Sequence, residues 1–352
     1  MRFPSRPLRG LLLALGSIVA VMSVQPAFGQ AMRTVTDDTG REVAIPVDPQ
    51  RIVSLRGEQI TAPLLELGAN LVGAGGVVSP AINGGQPYVR GAFDILDFRF
   101  EASTIAFVGG DNDFDIEAIA ALRPDLIIAP AVAAATDRLP QLEAIAPTVL
   151  LIFATNDPRL TGGNTSLERY RRVADWAGRL EQFNALEAAF ADRLARYRTI
   201  VEATLGDPAR VVVSHIDNHG VGTYQVLRHY DMLTEMIDAL GFAYPAIVAE
   251  ATGPSVAMSA ELLPQLQTDF LISTFRSASE NDYPDAIRAR FDETLPGWQE
   301  FVHAAKYGQH IFIDREQMRT ATFASARYVL DFLITNIVLR PFTALGEATL
   351  AP

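Results

Sequence analysis

The sequence predicts an α/β fold of two similar lobes, each with a central, mainly parallel sheet flanked by helices, joined by one long helix. Three observations predict it. Short apolar runs alternate with amphipathic segments and short loops in both halves of the chain, the pattern of parallel sheets covered by helices. One long amphipathic stretch, Thr165 to Leu205, separates the halves. Segments of the first half also recur in the second. DIEAIAALRPDLII (Asp115 to Ile128) aligns without a gap with SAELLPQLQTDFLI (Ser259 to Ile272), 144 residues later. TAPLLELG (Thr61 to Gly68) matches TEMIDALG (Thr234 to Gly241), and RIVSL (Arg51 to Leu55) and RVVVS (Arg210 to Ser214) open the two halves.

The elements are taken in chain order. Arg2, Arg6 and Arg9 precede the apolar run Leu11 to Val24, and small residues allow cleavage after Gly29 or after Ala31. Residues 1–31 therefore read as a signal peptide, the apolar run being short for a bilayer span. Its removal takes three arginines and no acid, moving the net charge from −12 to −15. Residues 33–50 read as a hairpin turning at Asp38-Thr39-Gly40. The first lobe, 32–164, then alternates strand Arg51–Leu55, helix Gln59–Leu67 closed by Gly68, and strand Leu71–Ala74. A long glycine- and aromatic-rich stretch spans 75–104. Beyond it come strand Ile105–Val108, helix Asp115–Leu122, strand Asp125–Ala129, helix Arg138–Ile145 and strand Thr148–Phe153.

The connecting helix is assigned to 165–206. Apolar residues at Leu167, Tyr170, Val173, Ala177, Leu180, Phe190, Leu194, Tyr197 and Val201 lie three or four apart on one face. Thr165 and Glu168 form a capping box, Gly206-Asp207-Pro208 a stop, and a slip in the pattern near Gly178 to Phe183 predicts a kink or short break. The second lobe, 207–352, carries strand Arg210–His215, helix Asp231–Leu240 closed by Gly241, helix Ser259–Leu266 and strand Asp269–Thr274. Helix Trp298–Ala304, strand His310–Asp314 and the last helix Phe323–Leu339 complete it.

Composition narrows the function. Of 352 residues, 49% are hydrophobic and 20% charged, ordinary for a globular protein. A net charge of −12 argues against nucleic acid and against general attraction to anionic lipid. There is no cysteine, so an exported chain carries neither a disulfide nor a lipid-anchoring cysteine. The chain contains no Gly-x-Ser-x-Gly elbow, P-loop, Rossmann glycine fingerprint or His-Glu-x-x-His. His215 and His219 are the one close histidine pair. Without a nearby acidic partner they do not close a metal site, and pocket hydrogen bonders or a solvated loop are the other readings. No catalytic residue, metal site or resident cofactor is expected.

Ligands of open parallel sheets sit beyond the carboxyl ends of the strands. Arginines and aromatics stand directly after the strands of this chain. Arg56 follows the first strand, Arg276 follows Asp269–Thr274, and Arg319 lies in the loop after His310–Asp314. Tyr88, Arg90 and Arg99 lie in the 75–104 loop, Tyr224 in the loop after Arg210–His215, and Trp298 opens a helix on the cleft side. Guanidinium groups bind oxyanions bidentately and aromatics cover flat apolar faces. The expected pocket is Arg56, Tyr88, Arg99, His215, Tyr224, Arg276 and Arg319, around a large, oxygen-rich ligand.

TVTDDTGREVAIPVDPQRIVSL, TAPLLELGANLVGAGG, FDIEAIAALRPDLIIA and PGWQEFVHAAKYGQHIFID resemble the periplasmic iron–siderophore binding proteins of ABC importers, over nearly all of residues 33–340. QMRTATFASARYVLDF (Gln317 to Phe332) is similar to the end of the ferric-enterobactin and hydroxamate-type members, where Arg319 matches a pocket arginine. The resemblance implies a soluble periplasmic protein, monomeric and not an enzyme. It would carry a ferric siderophore, in a stiff cleft between its lobes, to a permease dimer. Cobalamin and haem binders belong to the same wider family, and chelatase-like enzymes share the two-lobed plan. The resemblance also implies one acid per lobe docking to permease arginines. Glu235 matches that place in the second lobe. Ala62 stands at its counterpart in the first, leaving Glu58 or Glu66 as substitutes.

Overall fold

The computed structural model describes residues 30–153, 164–217, 223–277, 282–346 and 349–350. The expected signal peptide, but for its last two residues, lies outside them.

The first lobe opens with the expected hairpin, β1 (Met32–Thr36) and β2 (Glu42–Pro46), in antiparallel register with Met32 opposite Pro46. Its sheet is built from β3 (Ile52–Ser54), β4 (Leu71–Val78), β5 (Pro87–Tyr88), β6 (Ala106–Gly110), β7 (Asp113–Phe114), β8 (Leu126–Pro130) and β9 (Thr148–Leu151). The order is β7-β6-β4-β3-β8-β9, with β5 paired to β4. Every pair from β6 to β9 is parallel, and β5 and β7 are antiparallel additions at the cleft end. Between β3 and β4 the chain winds a wide π-turn, Gly57–Thr61, into α1 (Ala62–Glu66). Helix α2 (Ile116–Ala121) starts on Asp115, whose carboxylate accepts from the Glu117 and Ala118 amides.

The stretch 165–206 is two helices. α3 (Ser166–Trp176) begins on the predicted Thr165–Glu168 capping box. α4 (Leu180–Leu205) runs 26 residues to Gly206. The break falls where the apolar pattern slips. Gly178 has φ +65°, and a Cβ there would lie 2.7 Å from the Val47 carbonyl, so only glycine allows the chain to turn against the first lobe. The buried face divides between the lobes. Val173, Trp176 and Ala177 pack with the first-lobe core, whereas Tyr170, Phe183, Phe190 and Val201 join the core of the second lobe. α4 is therefore bedded along the second lobe.

The second sheet comprises β10 (Val213–Asp217), β11 (Thr223–Leu227), β12 (Ser255–Ser259), β13 (Phe270–Phe275) and β14 (His310–Asp314), in the order β12-β11-β10-β13-β14. Helices α5 (Met232–Leu240), α6 (Pro284–Thr294) and α7 (Phe323–Leu333) cover it. The internal repeat is structural. β10-β13-β14 are parallel neighbours as β3-β8-β9 are. The matched aspartates do the same work: Asp125 accepts from the Gln50 and Arg51 amides ahead of β3, and Asp269 accepts from the Val212 amide ahead of β10. The lobes part on the other side, where β11 and β12 form an antiparallel pair in place of parallel strands. The sequence pattern does not resolve that pair or α6, and it puts Tyr224 in a loop. Five-residue strands such as TYQVL carry too little period to stand out from their flanks.

The two lobes are stapled across their seam. The Glu66 carboxylate on α1 accepts from the Phe323 and Ala324 amides at the start of α7, both at 2.8 Å. Glu235 on α5 accepts from the Ser166 amide at the start of α3, at 2.6 Å. Both place carboxyl oxygens at helix N-termini, where unpaired amides need acceptors. The Ala321 amide also donates to the Glu58 carbonyl at 3.1 Å. Beside these contacts Gly91, at φ +72°, lies so close to the second lobe that a Cβ would fall 1.6 Å from the Thr320 hydroxyl oxygen.

Gly91→Ala should lower the unfolding free energy by about 1–3 kcal/mol, through the positive φ and the Thr320 clash together, measured by denaturant titration. Unchanged stability would mean that the seam is looser than described. Glu235 gives a pH-dependent expectation. Burial, against the pull of Arg169, pushes its carboxyl from an ordinary 4.5 up to about 7. The folded state thus binds more protons than the unfolded one between those values, and this group's contribution to stability falls as pH rises through the window. Glu235→Gln, which keeps an acceptor for Ser166, should gain stability relative to wild type from pH 4.5 to 7 and hold a constant difference above. A difference independent of pH would contradict the assignment.

Candidate functional site

The carboxyl ends of both sheets face one cavity. It is lined by Glu58 and Arg90 from the first lobe and by Arg276, Arg315, Glu316 and Arg319 from the second. Local structure fixes each of them. Arg56 is extended after β3 and hands the chain to the π-turn, which carries Glu58. Arg90 follows β5, and Arg276 is the first residue after β13. Asp314 ends β14 and caps the short turn Arg315–Met318 by accepting from the Glu316 and Gln317 amides. That turn sets Arg315, Glu316 and Arg319 at the cleft. A second cavity shares Arg90 and adds Arg56, Gly76, Val77, Val78, Gly110, Asp111 and Asn112, all at the strand ends of the first lobe.

The charges are arranged in layers. Arg315 is anchored, with Nη1 2.7 Å from Asp217 Oδ2 and Nη2 3.3 Å from the Tyr230 hydroxyl. Arg319 lies over the Tyr230 ring, 5.1 Å from its centroid. Arg276 has Asp282 at 3.8 Å. Arg56 bonds Gln59 Oε1 at 3.0 Å and lies over Phe153. In the centre sits Glu58, 2% exposed, with Arg319 Nη1 at 3.9 Å and Arg90 Nη1 at 4.0 Å. Burial pushes its carboxyl up, but Arg319, Arg56, Arg90 and Arg315 together outweigh burial and hold it below its usual range. Glu316 goes the other way. Burial, with Glu58 and Asp314 nearby, raises it to about 7 despite Arg90 and Arg276. The wall is cationic on balance and suits an oxygen-rich anion.

Of the residues expected in the pocket, Arg276 and Arg319 line the central cavity and Arg56 the adjoining one. Tyr88 is buried beside them; its hydroxyl is pushed up to about 12 by burial first and by Glu316 next. Arg99 is elsewhere. It lies over Phe93 at 3.8 Å, pairs with Asp97 at 2.9 Å and donates to the Phe93 carbonyl. His215 is 0% exposed inside β10, 3.8 Å from Asp231, and burial holds its imidazole below the ordinary value, hence neutral. His219 lies outside the described residues. Tyr224 is 0% exposed and stacks on Phe291, which in turn stacks on buried Trp298. His215, Tyr224 and Trp298 are core residues: a strand-end or loop position in sequence did not reveal which way each ring points.

The three acids expected at a docking surface are differently placed. Glu58 faces the arginine cluster from within the cleft, and Glu66 and Glu235 are committed to the helix N-termini at the seam. Arg315 and Glu316 were missed. Arg315 follows β14 as directly as Arg276 follows β13, with Glu316 next, so the strand-end rule applied at the first residues after β14, rather than at Arg319, finds them.

A comparison with curated proteins finds no match. Among solved structures, Staphylococcus aureus SirA complexed with staphyloferrin B is 19% identical, over 87% of this chain and 98% of that one, with a TM-score of 0.65. Holo-ViuP is 18% identical, over 87% and 95%, with a TM-score of 0.64. The siderophore periplasmic binding protein from the fuscachelin gene cluster of Thermobifida fusca is 23% identical, over 83% and 97%, with a TM-score of 0.58. At these identities the likeness is one of fold. Residues 64–316, well over half of the sequence, match the periplasmic binding protein family, and the chain belongs to that family.

Proposed function

We propose that this protein binds a ferric siderophore between its lobes and delivers it to an ABC importer. The observation that carries the reading is the convergence of Arg90, Arg276, Arg315 and Arg319, from both lobes, on one cavity at the strand ends. Siderophores hold iron through clustered oxygen donors, and their chelates present oxyanions that guanidinium groups recognise. The relatives in fold include SirA with staphyloferrin B and the fuscachelin-cluster protein. The reading is of a binding protein: its family is named for binding, and the cleft's polar groups suit recognition. It acts as a periplasmic monomer after loss of its signal peptide, and its partner is a permease dimer in the inner membrane.

A planar macrocycle such as haem or a corrin is less well matched. The aromatic rings that would cover its faces, Tyr224 and Trp298, are packed in the core, and the cavity wall is arginine and glutamate.

Intrinsic fluorescence titration with ferric catecholate, hydroxamate and citrate chelates should show sub-micromolar binding of at least one. Failure of the whole panel would defeat the proposal. Arg276→Ala and Arg319→Ala should each weaken an anionic chelate more than tenfold, about 1.4 kcal/mol or more. Unchanged affinity would remove that arginine from the site.

A further inference from the structure

Glu58 is not explained by oxyanion binding. An acid at the centre of an arginine cluster opposes an anionic ligand. Resting on the siderophore reading, we propose that the chelate carries neutral N–H or O–H donors beside its oxyanions, and that Glu58 is the acceptor that selects for them.

Four observations carry this. First, both Glu58 side-chain oxygens are buried and hydrogen-bond to nothing among the described residues. The arginine nitrogens at 3.9 and 4.0 Å are beyond hydrogen-bond reach. A buried carboxylate without donors is costly, and a ligand that supplies them removes that cost. Second, the backbone that carries the carboxylate is held in place. The Glu58 carbonyl accepts from the Ala321 amide across the seam, and the neighbouring Gly57 amide donates to Asp111 Oδ1 at 3.1 Å. Third, Glu58 is not alone. Glu316 Oε2 and Asp111 Oδ2 are also buried without a hydrogen bond, so open acceptors stand among the guanidinium groups of the two cavities that meet at Arg90. Fourth, among the described residues no three such groups converge to hold a metal ion. The missing partners are therefore donors. Neutral donors fit better than ammonium, because the four arginines that keep Glu58 ionised would repel a further cation.

The wall thus reads as a template for a ligand whose oxyanions face Arg276, Arg315 and Arg319 while an amide N–H or a hydroxyl reaches Glu58. A purely anionic chelate without donors would meet the arginines but leave Glu58 buried, charged and unsatisfied. Rejection of a ligand that lacks a required donor is a strong source of selectivity.

The sign of one substitution separates the two roles open to Glu58. If it only offsets arginine charge, Glu58→Met makes the cleft more positive and tightens an anionic chelate. If it accepts from the ligand, Glu58→Met, which removes the acceptor oxygens at similar size, weakens a donor-bearing chelate although the cleft has become more positive. The probes are two ferric trihydroxamates of equal charge, each with a pendant carboxylate, one with secondary amide N–H groups and one with those amides N-methylated. Wild-type protein should bind the N–H chelate at least tenfold more tightly than the methylated one. Glu58→Met should bind the N–H chelate about tenfold more weakly than wild type and lose most of the preference. Equal or tighter binding by Glu58→Met overturns the inference, as does a wild type indifferent to methylation, a measurement that needs no variant to fold. Wild type that binds neither probe, nor ferric citrate, nor a ferric catecholate, overturns the siderophore reading and this inference with it. Wild type that binds only donor-free chelates overturns the inference and leaves the reading standing.

Discussion

The structure depends on carboxylates of one lobe closing helix N-termini outside it. Glu66 satisfies the first amides of α7, and Glu235 does so for α3. A helix end left open at a buried seam would carry unsatisfied donors. A fixed carboxyl group there supplies the missing acceptors. The arrangement constrains relative motion, because opening the seam would expose these amides and the carboxylates together. With Gly91 set against Thr320 and the Ala321 amide on the Glu58 carbonyl, the floor of the cleft is a bonded surface.

That floor explains how so many arginines can converge. Arg276, Arg315 and Arg319 are presented by the ends of β13 and β14, and Arg56 and Arg90 by strand ends of the first lobe. Like charges at this density repel, and the site relieves the repulsion in graded fashion. Asp217 holds Arg315 closely, Asp282 lies looser on Arg276, and Glu58 stands near Arg90 and Arg319 without bonding either. The looser pairs leave guanidinium N–H groups for a ligand, at a smaller desolvation penalty than bare arginines would carry. The remote acidic surface bears little on this, because charges beyond about 10 Å are screened by salt.

The connecting stretch shows what an apolar pattern specifies and what it leaves to packing. The apolar face from Leu167 to Val201 is buried or half-buried as its spacing implies, and the slip at Gly178 is a true break. The sequence alone reads that face as one connecting helix with a kink or short break near Gly178. In the folded chain the face is shared, α3 between the lobes and α4 along the second, because two cores compete for adjacent turns of one amphipathic stripe.

The sequence by itself determined what is local or repeated: the alternation of strands and helices, the capping box, Gly68 and Gly241 as helix stops, the duplicated Asp125 and Asp269, and arginines at strand ends. These come from backbone periodicity and from bonds that reach only a few residues. The direction of a side chain at a strand end does not. Tyr224 and His215 look as available in sequence as Arg276, yet the first two point into a core and the third into the cleft. Glu58, Glu66 and Glu235 are alike as letters. Tertiary structure alone made the first a buried acceptor among guanidinium groups and the other two caps on distant helices, because each partner lies on another part of the chain, as far as 258 residues away.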